Sequence, residues 1–283
     1  MHQNLTKPLR HVIITGGAGF IGSQISARLL KEKTRVTILT RNESAPRAAA
    51  LAQQGCKVVA CDLADANRIP RPDTLDPADA LFHFAADVSV SSPTLRAANV
   101  DGTSRALALA DALAIPYVVY ASSIEAQGLG SDHEIPLRED MACRPVSDYG
   151  QSKVQAEELV TAWGSLPGHR ALVLRIGNIY GPGSAWLLHP SMLALLGATP
   201  IRTIWTQLRH RLFQPLFIDD LVEGLCRAVD RRLAGTYNMT GEEQVTIEGY
   251  LATLASLTQL TDRVQLMRVP AAPSGRSLPI APD

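Results

Sequence analysis

The stretch HVIITGGAGFIG, His11 to Gly22, decides the fold. Four residues that are apolar or β-branched follow His11 and run straight into a glycine-rich turn, and the turn runs into a helix. His11 to Thr15 carries no alternation, as expected of a strand covered on both faces. Glycines 16, 19 and 22 give G-x-x-G-x-x-G. The first permits the tight turn, the second lets a diphosphate approach the backbone, and the third lets the helix lie close to the strand. Ile21, Ile25 and Leu29 then fall at i, i+4 and i+8, one apolar face of a helix. A diphosphate would rest on the free N–H groups at its start.

Working outward, Val36 to Thr40, Val58 to Cys61, Ala80 to Phe84, Tyr117 to Ala121 and Ala171 to Ile176 repeat the same nearly continuous apolar texture. Helical spacing separates them, as at Leu109 and Leu113 and in the segment that starts near Tyr149. Strict alternation of strand and helix predicts an α/β doubly wound parallel sheet. The pattern breaks after Gly177. Gly181-Pro182-Gly183 is a loop signal, Trp186 to Gly197 reads as a helix, and Thr199 to Gln214 has no clean period. Ile247, Leu251 and Leu254 mark a further amphipathic helix, and the tail from Pro270 reads as irregular.

Composition excludes several classes. Of 283 residues, 46% are hydrophobic, so a sizeable core can form and disorder is excluded. Lys plus Arg and Asp plus Glu each number 27, which predicts neither nucleic acid nor an anionic membrane as partner. Met1 to Arg10 has no apolar core of a signal peptide, and no run reaches the ~18 apolar residues of a membrane span. The four cysteines, Cys56, Cys61, Cys143 and Cys226, form no C-x-x-C pair, so a reducing, cytoplasmic setting is expected. The seven histidines show no zinc spacing, and no metal site is expected.

Cofactor choice falls at the end of the second strand, where an acidic residue would hold the ribose hydroxyls of NAD. The strand ends Leu39-Thr40-Arg41, with no carboxylate before Glu43. Arg41 can pair with a 2′-phosphate, so NADP(H) is expected in preference to NAD(H). Asp62, after the third strand, is placed to reach the adenine ring.

Tyr149 and Lys153 form Y-x-x-x-K at the head of a helix, with both side chains on one face. A unit charge at ~4 Å and an effective dielectric of ~20 is worth about 4 kcal/mol, enough to bring a phenol from about 10 toward neutrality. Such a phenol can exchange a proton with a secondary alcohol while a nicotinamide carries the hydride. Ser123, at the end of the strand through Tyr120, is expected to hold the substrate oxygen against Tyr149, with Ser122 as its structural neighbour.

Together these motifs resemble the extended short-chain dehydrogenase/reductase family, which includes nucleotide-sugar epimerases and dehydratases. The resemblance rests on TGGAGFIGS at 15–23, HFAA at 83–86, NVDGT at 99–103, YASSIEAQG at 120–128 and YGQSK at 149–153. It continues with RIGNIYGPG at 175–183, FIDDLVEGL at 217–225 and GTYN at 235–238. It implies a Rossmann-type sheet with a smaller C-terminal substrate-binding domain. The cofactor domain would use residues 1–176 plus 214–236, and the substrate domain 177–213 and 237–283. Tyr149 would be the acid/base, Lys153 would lower its pKa and hold the nicotinamide ribose, and Ser123 would orient substrate. Gly16, Gly19, Phe20, Ile21, Gly22, Arg41, Asp62, Leu63, Ala85, Ala86, Ile176 and Asn178 would join Tyr149 and Lys153 at the cofactor. His83 is read as a packed strand end, and Asn99 as a residue that orders backbone near the site. Family members are often dimers through a helix pair that here would include the Tyr149 helix.

Three activities follow. The first is a net oxidoreductase that interconverts a secondary alcohol and a ketone with dissociable NADP(H), favoured by YASSIEAQG and the missing acid. The second is a nucleotide-sugar epimerase with tightly held NAD, favoured by Asn178 to Gly183. Phe213, standing where such enzymes carry an arginine, and Ala126-Gln127, in place of Val-Tyr, count against it. The third is a non-catalytic cofactor sensor, disfavoured because both Tyr149 and Lys153 are present.

Overall fold

A computed structural model describes residues 8–89, 92–128, 136–184, 212–246 and 248–250, with the single positions 253 and 256. The expected helices at Trp186 to Gly197 and around Ile247, Leu251 and Leu254 lie mainly outside the described residues, as does most of the expected substrate domain.

Seven parallel strands form the main sheet. They are β1 (His11–Thr15), β2 (Arg35–Thr40), β3 (Lys57–Ala60), β4 (Ala80–His83), β5 (Tyr117–Ser123), β6 (Arg170–Ile176) and β10 (Gly235–Met239). Their order is β10-β6-β5-β4-β1-β2-β3, so the chain reverses direction across the sheet between β1 and β4. That switch point opens a crevice at the carboxyl ends, where ligands of such sheets bind. Two short pairs lie beside the sheet. β7 (Ile179–Tyr180) runs parallel to β9 (Leu216–Phe217), and β8 (Leu212–Phe213) runs antiparallel to β11 (Val245–Thr246). β10 pairs with β6 and continues the sheet through Met239.

Strand alternation sends side chains into two cores. Val12 and Ile14 face one, and Ile13 faces the other. The first core lies under α1 (Phe20–Lys31) and α5 (Ile218–Asp230), the second under α3 (Gly102–Ala112) and α4 (Asp148–Gly164), with α2 (Pro46–Gln53) between β2 and β3. Helix α5 buries Leu221, Val222, Leu225, Cys226 and Val229 on one stripe and turns Asp219, Asp220 and Arg227 outward. Each fully covered Ile or Leu stabilises the fold by roughly 1.5–3 kcal/mol. No helix among the described residues is long and apolar enough to cross a membrane.

Candidate active site

The glycine turn forms as its spacing predicts, with one addition. Gly16 has φ +65°, and a Cβ there would stand 2.6 Å from the Ala85 nitrogen, so only glycine lets β1 turn beside β4. A Cβ on Gly22 would fall on the Gly16 carbonyl oxygen, and one on Gly17 would fall on the Ile38 side chain. Gly17 lies outside the G-x-x-G-x-x-G spacing, and packing against β2 explains it. Gly19 begins α1 with no side-chain cap, and the first turn holds no acidic residue. The N–H groups of Phe20, Ile21 and Gly22 therefore have no intrahelical acceptor and point at the crevice. A diphosphate fits this cradle of unpaired N–H groups, which no capping side chain or first-turn carboxylate occupies.

The periphery of the cradle is mixed. Arg41 is exposed just past β2, and its carbonyl oxygen accepts from Arg68 Nη2 at 3.5 Å. Asp62 is partly committed, since its carboxylate accepts from the Ala64 N–H (3.1 Å) and Arg68 Nη1 (3.4 Å). Ala85 and Ala86 line the turn after β4, where the Ala85 N–H donates to Thr15 Oγ1 at 3.3 Å. Leu63 and Ile176 turn their side chains away from solvent. Both are buried in the two cores, Leu63 beneath Gly102 and Ile176 in register between Ser123 and Met239. Ile176 ends β6, whereas Leu63 lies in the turn three residues past β3. Asn178 is half-buried, and its carbonyl oxygen accepts from the Leu216 N–H at 2.8 Å. Arg47, unmarked in the sequence, donates to the Gly183 carbonyl at 2.7 Å and ties α2 to the loop after β7.

Across the crevice stand Ser123, Tyr149 and Lys153. Ser123 ends β5, and its Oγ accepts from the Glu125 N–H at 3.2 Å. Helix α4 starts with a cap, Ser147 Oγ accepting from the Gly150 N–H at 3.0 Å, and Ser147 O–H donates to Glu125 at 2.8 Å. A Cβ on Gly150 would stand 2.5 Å from the Glu125 carbonyl oxygen, so this glycine lets the first turn of α4 dock on the end of β5. That approach brings the Tyr149 phenol to the side of Ser123, whose hydroxyl favours its ionised form. Lys153 is buried one turn on, donates to the Ala121 carbonyl at 2.8 Å, and lies 5.7 Å from the Tyr149 ring centroid and 4.9 Å from that of Tyr120. The structure thus brings all three expected residues to one wall.

Burial shapes the proton affinity of both Tyr149 and Lys153. Burial pushes the Tyr149 phenol up to about 12, with Ser123 pulling it down and Glu125 pushing it up. The Lys153 ammonium lies over the Tyr149 ring and donates to the Ala121 carbonyl. Burial brings Lys153 itself down to about 8, opposed by the Glu157 carboxylate.

Behind this wall runs a buried hydrogen-bond chain. Thr103 O–H donates to the Asn99 carbonyl (2.6 Å), so His83 Nε2 must donate to Thr103 Oγ1 (2.9 Å) and Nδ1 must accept from Thr15 O–H (2.6 Å). His83 is neutral, its pKa lowered to about 3 by burial and by Lys153. Asn99 sits in a π-turn (Ala97–Asp101) that leads into α3. Its amide nitrogen donates to the Asp87 carbonyl and to Ser152 Oγ, both at 2.9 Å, and its oxygen accepts from the Asp87 N–H at 2.7 Å. Asn99 orders backbone, as the sequence suggests, by pinning the loop after β4 to the turn that carries Tyr149.

A doubly wound sheet with a glycine cradle on one wall and Ser, Tyr and Lys on the other defines a dinucleotide-dependent enzyme of the extended short-chain dehydrogenase/reductase type. The chain belongs to the NAD dependent epimerase/dehydratase family, whose model matches residues 12–240. It is 30% identical over 183 residues to UDP-arabinose 4-epimerase 1 of Arabidopsis thaliana, covering 60% of this chain and 43% of that one. It is 28% identical over 210 residues to UDP-glucose 4-epimerase of Azospirillum brasilense, covering 67% and 58%. The chain spans about half the length of these curated relatives. Among solved structures, the UDP-glucose 4-epimerase of Thermus thermophilus, in complex with NAD, superposes with a TM-score of 0.73 at 25% identity, over 88% of this chain and 83% of the other.

Proposed function

We propose that this chain inverts a secondary alcohol of a nucleotide sugar, using NAD and no net oxidant. The observation that carries the reading is the convergence of Ser123, Tyr149 and Lys153 at the carboxyl end of β5, across the crevice from the glycine cradle. Similarity to UDP-sugar 4-epimerases supports the substrate class over a free ketone.

In this reading the bound nicotinamide supplies a hydride acceptor and, when oxidised, a positive charge beside the phenol. The N–H groups of Phe20, Ile21 and Gly22 hold the diphosphate, and Arg41 and Asp62 flank the adenosine end. Ser123 O–H orients the substrate hydroxyl. Tyr149 takes the hydroxyl proton as the carbon is oxidised and returns it after the intermediate turns its other face. Lys153, held by the Ala121 carbonyl, presents its ammonium to the ribose and to the face of Tyr149. Positioned acid–base groups of this kind contribute about 10²- to 10⁴-fold to rate.

A second reading, a net reductase with dissociable NADP(H), is favoured by one observation: Arg41 is exposed where a ribose-binding carboxylate would stand. A native mass spectrum of the freshly purified protein separates the two. One NAD carried per chain supports the epimerase. An empty chain that takes NADPH in preference to NADH supports the reductase.

A further inference from the structure

Strand register creates a charge cluster that the proposed chemistry does not use. Ser122 and Arg175 are paired partners on β5 and β6, and both meet Glu157 on α4. The Glu157 carboxylate takes Arg175 Nε at 3.1 Å, Nη2 at 2.8 Å and the Ser122 hydroxyl, and both charged side chains are more than 90% buried. Arg175 spends its remaining contacts on the Glu139 carbonyl and Cys143 Sγ. Nothing about this arrangement is a surface ion pair. Buried charges are costly unless they are matched.

Lys153 is one turn before Glu157 on the same face of α4. It is a buried ammonium whose hydrogen bond goes to a neutral carbonyl. The groups that face it are Tyr149 and Glu157 from α4, Tyr120 from β5 and neutral His83 from β4. Arg175 on β6 stands behind Glu157, and Glu125 after β5 acts on Tyr149. Of these, Glu157 is the anion whose field reaches the lysine, and Arg175 is the cation that partly cancels it.

We propose that Glu157 is a positioning residue that keeps Lys153 an ammonium, and that Arg175 trims this effect by competing for the same carboxylate. The inference rests on Tyr149 and Lys153 being the working pair. It assigns the buried pair to setting the pH range of the site, where a structural staple would only join α4 to the sheet.

The two roles differ in sign. Carrying ¹³Cε-labelled lysine, with Lys153→Met to assign its signal, the full-length protein is titrated by NMR. In Glu157→Gln the midpoint for proton loss from Lys153 falls by up to about two pH units, taking a unit charge ~6 Å away at an effective dielectric of ~20. In Arg175→Gln it rises, and the double variant lies between the singles. The alkaline limb of turnover moves the same way in each. A midpoint unmoved by either change, or moved in one direction by both, overturns the proposal. Should Glu157→Gln not fold, Arg175→Gln decides alone, since an unchanged or lower midpoint contradicts the account. The titration needs no substrate, so it stands apart from the test of epimerase activity.

Discussion

The two walls of the crevice are built on different physics. The β1–β2 wall works by exclusion: Gly16, Gly17 and Gly22 are bare because Ala85, Ile38 and the backbone of Gly16 leave no room for a Cβ. What it offers a ligand is backbone N–H groups. The β5–β6 wall works by buried charge: Lys153 and Glu157 of α4 and Arg175 of β6 are all buried between helix and sheet, with neutral His83 and Tyr120 beside them. Shape governs the first wall and proton affinity the second. Substitutions on the first should therefore act at every pH, and those on the second should change the pH profile.

The sharpest break comes from Tyr149→Phe. Turnover should fall by roughly 10³-fold while cofactor affinity, read by fluorescence titration, stays within a few-fold. Retained turnover would remove the phenol from the chemistry. Gly22→Val comes next. It forces β-branched atoms against the Gly16 carbonyl, and calorimetry should show a loss of roughly 2–4 kcal/mol together with weaker cofactor binding, with no pH dependence.

His83 gives the pH counterpart. Its folded pKa of about 3 lies below the ordinary 6.5, so the unfolded chain takes up a proton that the native state refuses. Stability falls as pH drops from about 6.5 toward 3, by several kcal/mol over the window. In His83→Gln that segment of the denaturant-midpoint profile should flatten, and an unchanged slope would reassign the acid sensitivity. The smallest effect belongs to Arg41→Asp, at an exposed position. It should change the NADP⁺/NAD⁺ affinity ratio by about tenfold, measured by titration with each nucleotide. An unaltered ratio would mean that Arg41 plays no part in choosing the cofactor.

The same contrast explains what the sequence makes legible. Glycines 16, 19 and 22 and the Tyr149–Lys153 pair are local patterns, fixed by a turn and by one helical repeat, and they fall where their spacing places them. Ser123 is readable because it ends an evident strand within YASSIEAQG, although it nears Tyr149 only through the docking of α4 at Gly150. Glu157 and Arg175 are 18 residues apart and meet only through β5–β6 register and the packing of α4, which no spacing reveals. Leu63 and Ile176 carry the family pattern, and their side chains lie in the two cores. Proximity alone predicts that Lys153 lowers the Tyr149 pKa. Burial of both groups works against that effect, since it raises the phenol and lowers the ammonium, and no spacing reveals burial.

The central claim is redox-neutral inversion by the Ser123–Tyr149–Lys153 wall. The most direct measurement follows UDP-glucose and UDP-arabinose separately by proton NMR, with catalytic NAD⁺ and no other oxidant or reductant. The account predicts C4-epimer signals growing to a fixed equilibrium ratio, and their loss in Tyr149→Phe. Failure to invert either sugar, alongside stoichiometric consumption of NADPH by a ketone substrate, would contradict it.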